Sequence, residues 1–133
     1  MNIKPLGAEE TLAFGCTHVI TVAYTDTTSA TLIPLPVGTL VNRVFVKVST
    51  NWNSGTSAAL SVGDTGSATQ FINAVNLLAA GDEYYSAAAS TNKVQISASQ
   101  YLVVTLAVAG TAATAGALSI GVNIVNTTLV PTA

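Results

Sequence analysis

The sequence has very few charged side chains. Only 8% of its 133 residues are Asp, Glu, Lys or Arg, whereas 50% are hydrophobic. A soluble domain of this length ordinarily has about 33 charged residues, which keep its surface hydrated and keep neighbouring copies apart. This chain has four basic and six acidic residues on an expected monomer surface of about 6,500 Å². A surface with so little charge favours contact with other protein.

Clusters of basic residues are also missing. Lys4, Arg43, Lys47 and Lys93 are spread along the chain, and the formal net charge is −2. Binding to nucleic acid depends on Lys and Arg side chains grouped so that they neutralise several phosphates. We therefore predict that nucleic acid is not a partner.

Long hydrophobic runs are absent as well. The longest apolar stretch, residues 101–109, has about nine residues, whereas a membrane-spanning helix needs about twenty. Residues 1–10 contain Pro5, Glu9 and Glu10 where a secretory signal would have basic residues followed by an apolar segment. We predict no membrane partner and no export by the secretory route.

Cysteine and histidine occur once each. Cys16 has no second cysteine with which to form a disulfide, so we predict a buried thiol in a chain made in a reducing cytoplasm. His18 has neither a second histidine nor a cysteine pair to complete a zinc site. The two residues would share one face of a strand, but no third group orients them as a nucleophilic pair. We predict a structural role for both.

Two acidic segments are interpreted as turns. Residues 63–66 (GDTG) resemble the Asp-Thr-Gly of aspartic proteases, but a polar loop follows Asp64 where the proteases have an apolar strand. Asp82 and Glu83 supply only two local carboxylates for a hard cation. The dinucleotide, P-loop, nucleophile-elbow and zinc-protease motifs do not occur. The sequence therefore predicts no enzymatic activity, no cofactor and no metal site.

The pattern that is present has a period of two residues. In residues 40–48, Arg43 and Lys47 alternate with apolar positions that face the other side. The apolar positions are Leu40, Val44, Val46 and Val48. Residues 93–97 and 117–124 alternate in the same way. Residues 101–108 are apolar on both faces, which is typical of a central strand or of one covered by a neighbouring subunit.

Turn residues separate further strands, predicted at residues 17–24, 31–36 and 58–62. Pro34 and Pro36 restrict their segment to the edge of a sheet. Residues 71–78 fit either a strand or one or two helical turns. A series of about seven to nine short strands with turns between them predicts an all-β fold, an antiparallel β-sandwich of jelly-roll-like form.

We divide the chain into an N-terminal arm (residues 1–13), a β-sandwich domain (residues 14–126) and a C-terminal tail (residues 127–133). The arm shows no alternation, and it either orders on contact with a partner or frays. The tail either extends onto a neighbour or ends free. One domain of this length buries a core without disulfides or metals.

Four aromatic residues are candidate interface anchors: Trp52, Tyr84, Tyr85 and Tyr101. Trp52 lies in a turn-rich segment after the basic strand, where it is either an exposed anchor or sugar platform or is folded back over the end of the sandwich. Tyr84 and Tyr85 have the same two alternatives. Tyr101 begins the strand that is apolar on both faces.

Residues 60–64 (LSVGD), Phe71, residues 77–81 (LLAAG) and residues 114–122 (TAGALSIGV) form a spaced pattern of strands and turns. In this pattern the chain from Leu60 onward resembles small structural proteins of tailed bacteriophages, including capsid decoration, or cement, proteins. The resemblance implies a β-sandwich or jelly-roll subunit, often trimeric, that sits on a capsid surface and clamps neighbouring major capsid proteins.

Residues and resemblance together predict a non-enzymatic virion structural protein on a bacteriophage capsid surface, made in the cytoplasm of the host bacterium. Its expected partners are the major capsid protein and its own copies, in a trimer. Two alternatives stay open: a head-fibre or tail component, and a receptor- or carbohydrate-binding β module with Trp52, Tyr84 or Tyr85 as stacking anchors. We expect the face of Arg43 and Lys47 to stay wet and residues 101–108 and 116–124 to be covered by a partner.

Overall fold

The structure is a computed structural model that describes residues 1–7, 16–26, 29–78, 84–86, 93–94 and 100–126. Within these ranges the chain forms two antiparallel sheets, and no helix there is long and apolar enough to cross a membrane. The strands are β1 (Asn2–Pro5), β2 (His18–Ala23), β3 (Ser29–Leu35), β4 (Thr39–Thr50), β5 (Ser57–Asp64), β6 (Ser67–Asn76), β7 (Tyr84–Ser86), β8 (Lys93–Val94), β9 (Gln100–Ala109) and β10 (Ala117–Asn126). The predicted all-β, antiparallel β-sandwich is confirmed.

Six strands form the larger sheet. β1, β2, β10 and β4 are neighbours in that order, and β7 and β8 both pair with β4. Ile120 of β10 pairs with Ile20 of β2 on one side and with Val46 of β4 on the other, and all three side chains have 0% exposure. Rows of β-branched side chains pack well on a pleated surface, which favours strands in these segments.

The smaller sheet has the strand order β3, β9, β5 and β6. The edge position predicted for the proline-containing segment is confirmed, because Pro34 lies in β3 and a proline has no N–H to donate to a second neighbouring strand. Residues 71–76 are part of strand β6, which decides between the two alternatives for that segment. β6 bulges against β5 at Ala74, whose N–H donates to the Ser61 hydroxyl at 3.0 Å.

Four sets of strand pairings are nested along the chain, whereas β4 with β10 and β5 with β9 pair across this nesting. The hairpin of β5 and β6 is enclosed by the pairing of β4 with β7 and β8, then by the pairing of β3 with β9, and finally by that of β2 with β10. Successive pairs alternate between the smaller and the larger sheet. The chain is therefore a long antiparallel ribbon that wraps around its own core.

The hydrophobic core lies between the inward faces of the two sheets. Val62 and Val104, paired in the smaller sheet, belong to the same buried cluster as Val46 of the larger sheet. Burial of such side chains contributes about 1.5–3 kcal/mol each relative to full exposure. The core is thus built from both sheets and holds them together.

Strand β4 follows the predicted alternation except at its start. Val44, Val46 and Val48 are fully buried, as predicted. An irregular register opposite Asn123 and Ile124 places Val41 inward at 1% exposure, while Leu40 is only half-buried. The prediction that Leu40 faces the core is therefore corrected, because the bulge shifts the alternation by one residue.

Strand β9 has one buried face. It lies inside the smaller sheet, between β3 and β5, as expected of a central strand. Leu102, Val104 and Leu106 are buried, but Tyr101 on the opposite face is 49% exposed. Within the described part of the chain residues 101–108 are therefore not buried on both faces, and their coverage by a neighbouring subunit stays a prediction.

The first residues of the predicted N-terminal arm form a strand. β1 pairs with β2 at the edge of the larger sheet, from Asn2 opposite Thr21 to Pro5 opposite His18. All four residues of β1 are exposed. Because β1 has no buried face, its sequence shows no alternation from which a strand could be predicted. Residues 8–15 and the predicted tail, residues 127–133, lie outside the described residues, and the domain boundaries stay a prediction.

Candidate interaction surfaces

Trp52 is an interior residue at one end of the sandwich. Its side chain is 2% exposed, and its backbone N–H donates to the Leu77 carbonyl at 3.1 Å. The segment between β4 and β5 therefore folds back over the core, and the exposed anchor predicted for Trp52 is not found. Indole burial removes a large apolar area from water, which explains why the ring turns inward in a chain with few aromatic residues.

The loop after β4 is tied to the loop before β10. Asn53 Nδ2 donates to Thr114 Oγ1 at 2.8 Å, while Asn53 Oδ1 accepts from the N–H groups of Thr114 at 2.8 Å and Ala115 at 3.1 Å. Gly55 N–H donates to the Thr111 carbonyl at 3.0 Å. These bonds hold residues 110–116 over Trp52, whose Nε1 has no hydrogen-bond partner among the described residues.

Tyr84 and Tyr85 lie in β7, at the edge of the larger sheet. Their backbones pair with Lys47 and Val46 of β4, respectively. This pairing places the two residues beside the basic strand. Their role as interface anchors stays a prediction.

Tyr101 is the exposed aromatic among the predicted anchors whose side chains are described. Its backbone N–H donates to Thr65 Oγ1 at 2.9 Å, and Thr65 N–H donates to the Tyr101 carbonyl at 3.1 Å. The turn between β5 and β6 thereby fixes the start of β9. The ring is 49% exposed on the outward face of the smaller sheet.

Residues 63–66 connect β5 to β6. Asp64 is 1% exposed, and its Oδ1 accepts from the Ser67 N–H at 2.8 Å. Gly66 N–H donates to Gln100 Oε1 at 2.9 Å. An aspartate that closes a hairpin in this way has a structural role, so the interpretation of this segment as a turn is confirmed. Asp82 and Glu83 lie outside the described residues.

His18 and Cys16 flank a structural hydrogen-bond centre at Thr17. Thr17 Oγ1 donates to the Val122 carbonyl at 3.1 Å, accepts from the Ile124 N–H at 3.0 Å and lies 2.9 Å from His18 Nδ1. The tautomer of the His18 ring sets which of the two atoms donates in this last contact. Burial lowers the pKa of His18 below its usual value of 6.5. Cys16 is buried and forms no disulfide, as predicted.

The charges of the strands are divided between the two sheets. Lys4, Arg43, Lys47 and Lys93 all lie on strands of the larger sheet. The four strands of the smaller sheet contain one charged residue, the buried Asp64. Charge therefore distinguishes the two outward faces of the sandwich.

We call the centre of the smaller sheet's outward face the uncharged face. It comprises small and apolar side chains of β5 and β9. They are Ala59, Ser61, Tyr101, Val103, Thr105 and Ala107. Thr105 pairs with Ser61, and Ala107 with Ala59. The opposite faces of the same strands are buried in the core, so the alternation of β9 and β5 places these six side chains outward.

The outward face of the larger sheet is of a different kind. On it the Phe45 ring lies over Gly121, its cross-strand partner, where a Cβ would overlap the ring. Ser119 pairs with Lys47 next to this contact. β10 contains no charged residue but lies beside the basic strand β4, and the coverage of residues 116–124 by a partner stays a prediction.

A groove of about 410 Å³ lies across one end of β1, β2, β10 and β4 in the larger sheet, lined by hydroxyl residues such as Thr21, Thr25 and Ser119. At one side the N-terminal ammonium forms an ion pair with Asp26 Oδ1 at 2.8 Å, and the Ala23 N–H donates to Oδ2 at 2.7 Å. Burial alone would raise the pKa of Asp26, but these two contacts outweigh it and lower the pKa. The described residues contain no group of three His, Cys, Asp or Glu able to hold a metal ion.

The fold is similar to that of chains in two solved capsid structures. One belongs to the capsid asymmetric unit of cyanophage Pam1, with a TM-score of 0.60 and 25% sequence identity over 78% of this chain and 79% of that chain. The other belongs to the acidic stable capsid of Helicobacter pylori bacteriophage KHP30, with a TM-score of 0.55 and 17% identity over 80% of this chain and 89% of that chain. The structural neighbours of this chain are thus bacteriophage capsid proteins.

No protein-family model and no curated protein sequence matches the chain. The likeness to the KHP30 chain is one of fold alone, whereas the likeness to the Pam1 chain extends to a quarter of the aligned residues. Both matches cover about four fifths of this chain. Together they support a virion structural protein.

Proposed function

We propose that this chain is a non-enzymatic protein that decorates a bacteriophage capsid and stabilises it by bridging major capsid protein subunits. The supporting observation is the likeness of about four fifths of this chain to chains of two phage capsids. A protein with so little surface charge is suited to extensive contact with other protein. It would be made in the cytoplasm of the host bacterium and act on the capsid surface.

The proposal includes the form of the subunit. Nested strand pairs that alternate between two sheets are the connectivity expected of a jelly roll, and we assign the chain to that class. We also propose that the protein is a homo-oligomer, with three copies as the expected number. Most soluble homo-oligomers have closed point-group symmetry, as a trimer does.

The test uses particles that lack this protein. Complete particles and particles assembled without it are heated in parallel, and genome release is followed with a DNA-binding dye. We expect release at a lower temperature from the particles without it, and recovery of the higher temperature when purified protein is added back. Equal release temperatures for the two kinds of particle would refute the stabilising role.

The copy number per particle separates this proposal from a head-fibre or tail component. Quantitative mass spectrometry of purified particles measures the ratio of this chain to the major capsid protein. Hundreds of copies agree with decoration, whereas a handful would favour a fibre or tail position.

The alternative of a carbohydrate- or receptor-binding module loses one of its proposed anchors. Trp52 is buried, so it offers no ring for a sugar to stack on. Tyr84 and Tyr85 of β7 remain as its candidate anchors, and the double variant Tyr84→Ala/Tyr85→Ala is the one to compare with the unmodified protein on a glycan array. Loss of a glycan signal in that variant would favour the alternative.

A further inference from the structure

The segment between β9 and β10 has a glycine at each end, and both glycines have positive φ values. Gly110 has a φ of +87° and Gly116 a φ of +153°. Glycine moves between such conformations and others at little cost because it has no Cβ. Residues 111–115 (TAATA) contain only threonine and alanine. They form a short segment with small side chains between two hinge positions, and we call them the lid.

The chain on either side of the lid is fixed to the sandwich. The Thr56 N–H donates to the Ala109 carbonyl at 3.0 Å, just before the first hinge. The Tyr24 N–H donates to the Gly116 carbonyl at 3.0 Å, at the second hinge. The lid itself belongs to neither strand, because the pairing of β9 ends at Ala109 and that of β10 begins at Ala117. Movement of the lid therefore breaks no strand pairing.

The hydrogen bonds described above attach the lid to the loop after β4. Asn53 forms three of them with residues 114–115, and all three lie at the exposed surface. The Gly55 N–H donates to the Thr111 carbonyl, and Ala113 packs against the core. A hydrogen bond at an exposed surface contributes little net free energy, because water replaces it when it breaks. The lid is therefore held mainly by one side chain whose bonds water can replace.

The closed lid leaves one polar atom beneath it without a partner. Trp52 is 2% exposed, and its buried Nε1 has no hydrogen-bond partner among the described residues. A buried donor without an acceptor raises the free energy of the state that contains it, because it has lost its hydrogen bond with water. Water that reaches the indole restores this bond. The unmade bond therefore reduces the free energy needed to uncover Trp52.

We propose that the lid opens about Gly110 and Gly116 while the two sheets stay folded, and that its opening gives water access to the Trp52 indole. Burial of the indole favours the closed state, which is therefore the populated one. The lid thus controls access to the only tryptophan of the chain. The inference goes beyond the proposed function, because it concerns the chain by itself and holds with or without a capsid.

Hydrogen exchange of the Trp52 indole N–H measures the opening directly. Because the chain has one tryptophan, its NMR spectrum contains one indole N–H signal, whose loss in heavy water is followed at several urea concentrations below the unfolding transition. Exchange through a local opening changes little with urea, whereas exchange through global unfolding accelerates because much more surface is exposed. The backbone amide of Ile120, in the middle of β10 between two neighbouring strands, is the reference.

We expect the indole N–H to exchange at least about tenfold faster than the Ile120 amide without urea, and to respond less to urea. Asn53→Ala should accelerate indole exchange by a further factor of about ten, because it removes the side chain that holds the lid. Asn53→Asp keeps an acceptor for the N–H groups of residues 114–115 and should accelerate it less. Asn73→Ala, at an exposed asparagine of β6, should leave it unchanged.

Two results in the unmodified protein would overturn the inference. If the indole N–H and the Ile120 amide exchange at the same rate with the same urea dependence, Trp52 is uncovered only when the whole chain unfolds. If the indole N–H exchanges as fast as that of free tryptophan, the lid does not cover it. Indole exchange that Asn53→Ala leaves unchanged would also refute the role of the lid. If Asn53→Ala does not fold, Asn53→Asp takes its place in this comparison.

Discussion

Trp52 and Gly116 are in direct contact at the end of the sandwich. A Cβ on Gly116 would lie 2.5 Å from Trp52 Cδ2 and 2.7 Å from Cε2, and Gly116 has a φ of +153°. The backbone of the loop before β10 therefore runs against the indole ring, and only glycine permits that approach. The contact seals the core where the loops of the two sheets meet.

We predict that Gly116→Ala destabilises the protein by about 2–4 kcal/mol, because the methyl group overlaps the indole and the φ value is unfavourable for alanine. Urea denaturation followed by tryptophan fluorescence measures the change. Gly66→Ala is the control, since its Cβ would meet only the flexible Gln100 side chain and the Asp64 carboxylate. Equal stability of Gly116→Ala and the unmodified protein would contradict the contact.

The Asn53 carboxamide gives a second prediction. Asn53→Ala removes its three hydrogen bonds to Thr114 and Ala115, and we expect a loss of about 1–3 kcal/mol. The loop over Trp52 should also become more accessible, so amide exchange of residues 114–115 should accelerate. Asn73→Ala, an exposed asparagine on β6, is the control with little expected effect on either measurement.

His18 makes stability depend on pH near neutrality. Its pKa in the folded chain is lowered by burial, so the unfolded chain binds the proton more readily and stability falls as the pH decreases from about 7 through the lowered pKa. Melting temperatures measured between pH 8 and 5 should show this decline. His18→Gln should flatten it, and an identical decline in that variant would assign the effect to other groups.

Asp26 contributes a separate dependence at acid pH. Its pKa is lowered in the folded chain, so the carboxylate stabilises the fold above its usual value of about 3.8, and this contribution is lost as the pH falls through the lowered value. We expect Asp26→Asn to lose stability at neutral pH and to change less than the unmodified protein between about pH 4 and 2. Chemical denaturation at neutral pH and between about pH 4 and 2 measures the two effects.

Much of the fold could be predicted because one-face burial leaves alternation in the sequence. Val44, Val46 and Val48 in β4 and Leu118, Ile120 and Val122 in β10 are buried as the period of two predicts. The period of two does not predict β1, where every residue is exposed. It also gives the wrong side for Leu40, where a bulge shifts the alternation. Both failures arise because pairing with another strand, and not burial of one face, decided the local structure.

The candidate surfaces could be predicted only in part. The low charge of residues 101–108 was visible in the sequence, but the separation of charge between sheets depends on which strands are neighbours. Trp52 could not be assigned because its burial depends on a loop about sixty residues away. One feature of the sequence indicated that Thr105 and Ala107 face outward. It is the alternation of small residues with Leu and Val in β9.

The nested pairing of the strands has a consequence for the order of folding. Thr17 N–H donates to the Val122 carbonyl at 2.8 Å, and the two residues are 105 positions apart. The entropy cost of closing a loop grows with its length, so the β5–β6 hairpin is expected to form early and the β2–β10 pair late. Residues 17–126 must therefore leave the ribosome before the larger sheet closes, and a subunit becomes competent for assembly only after β10 has been synthesised.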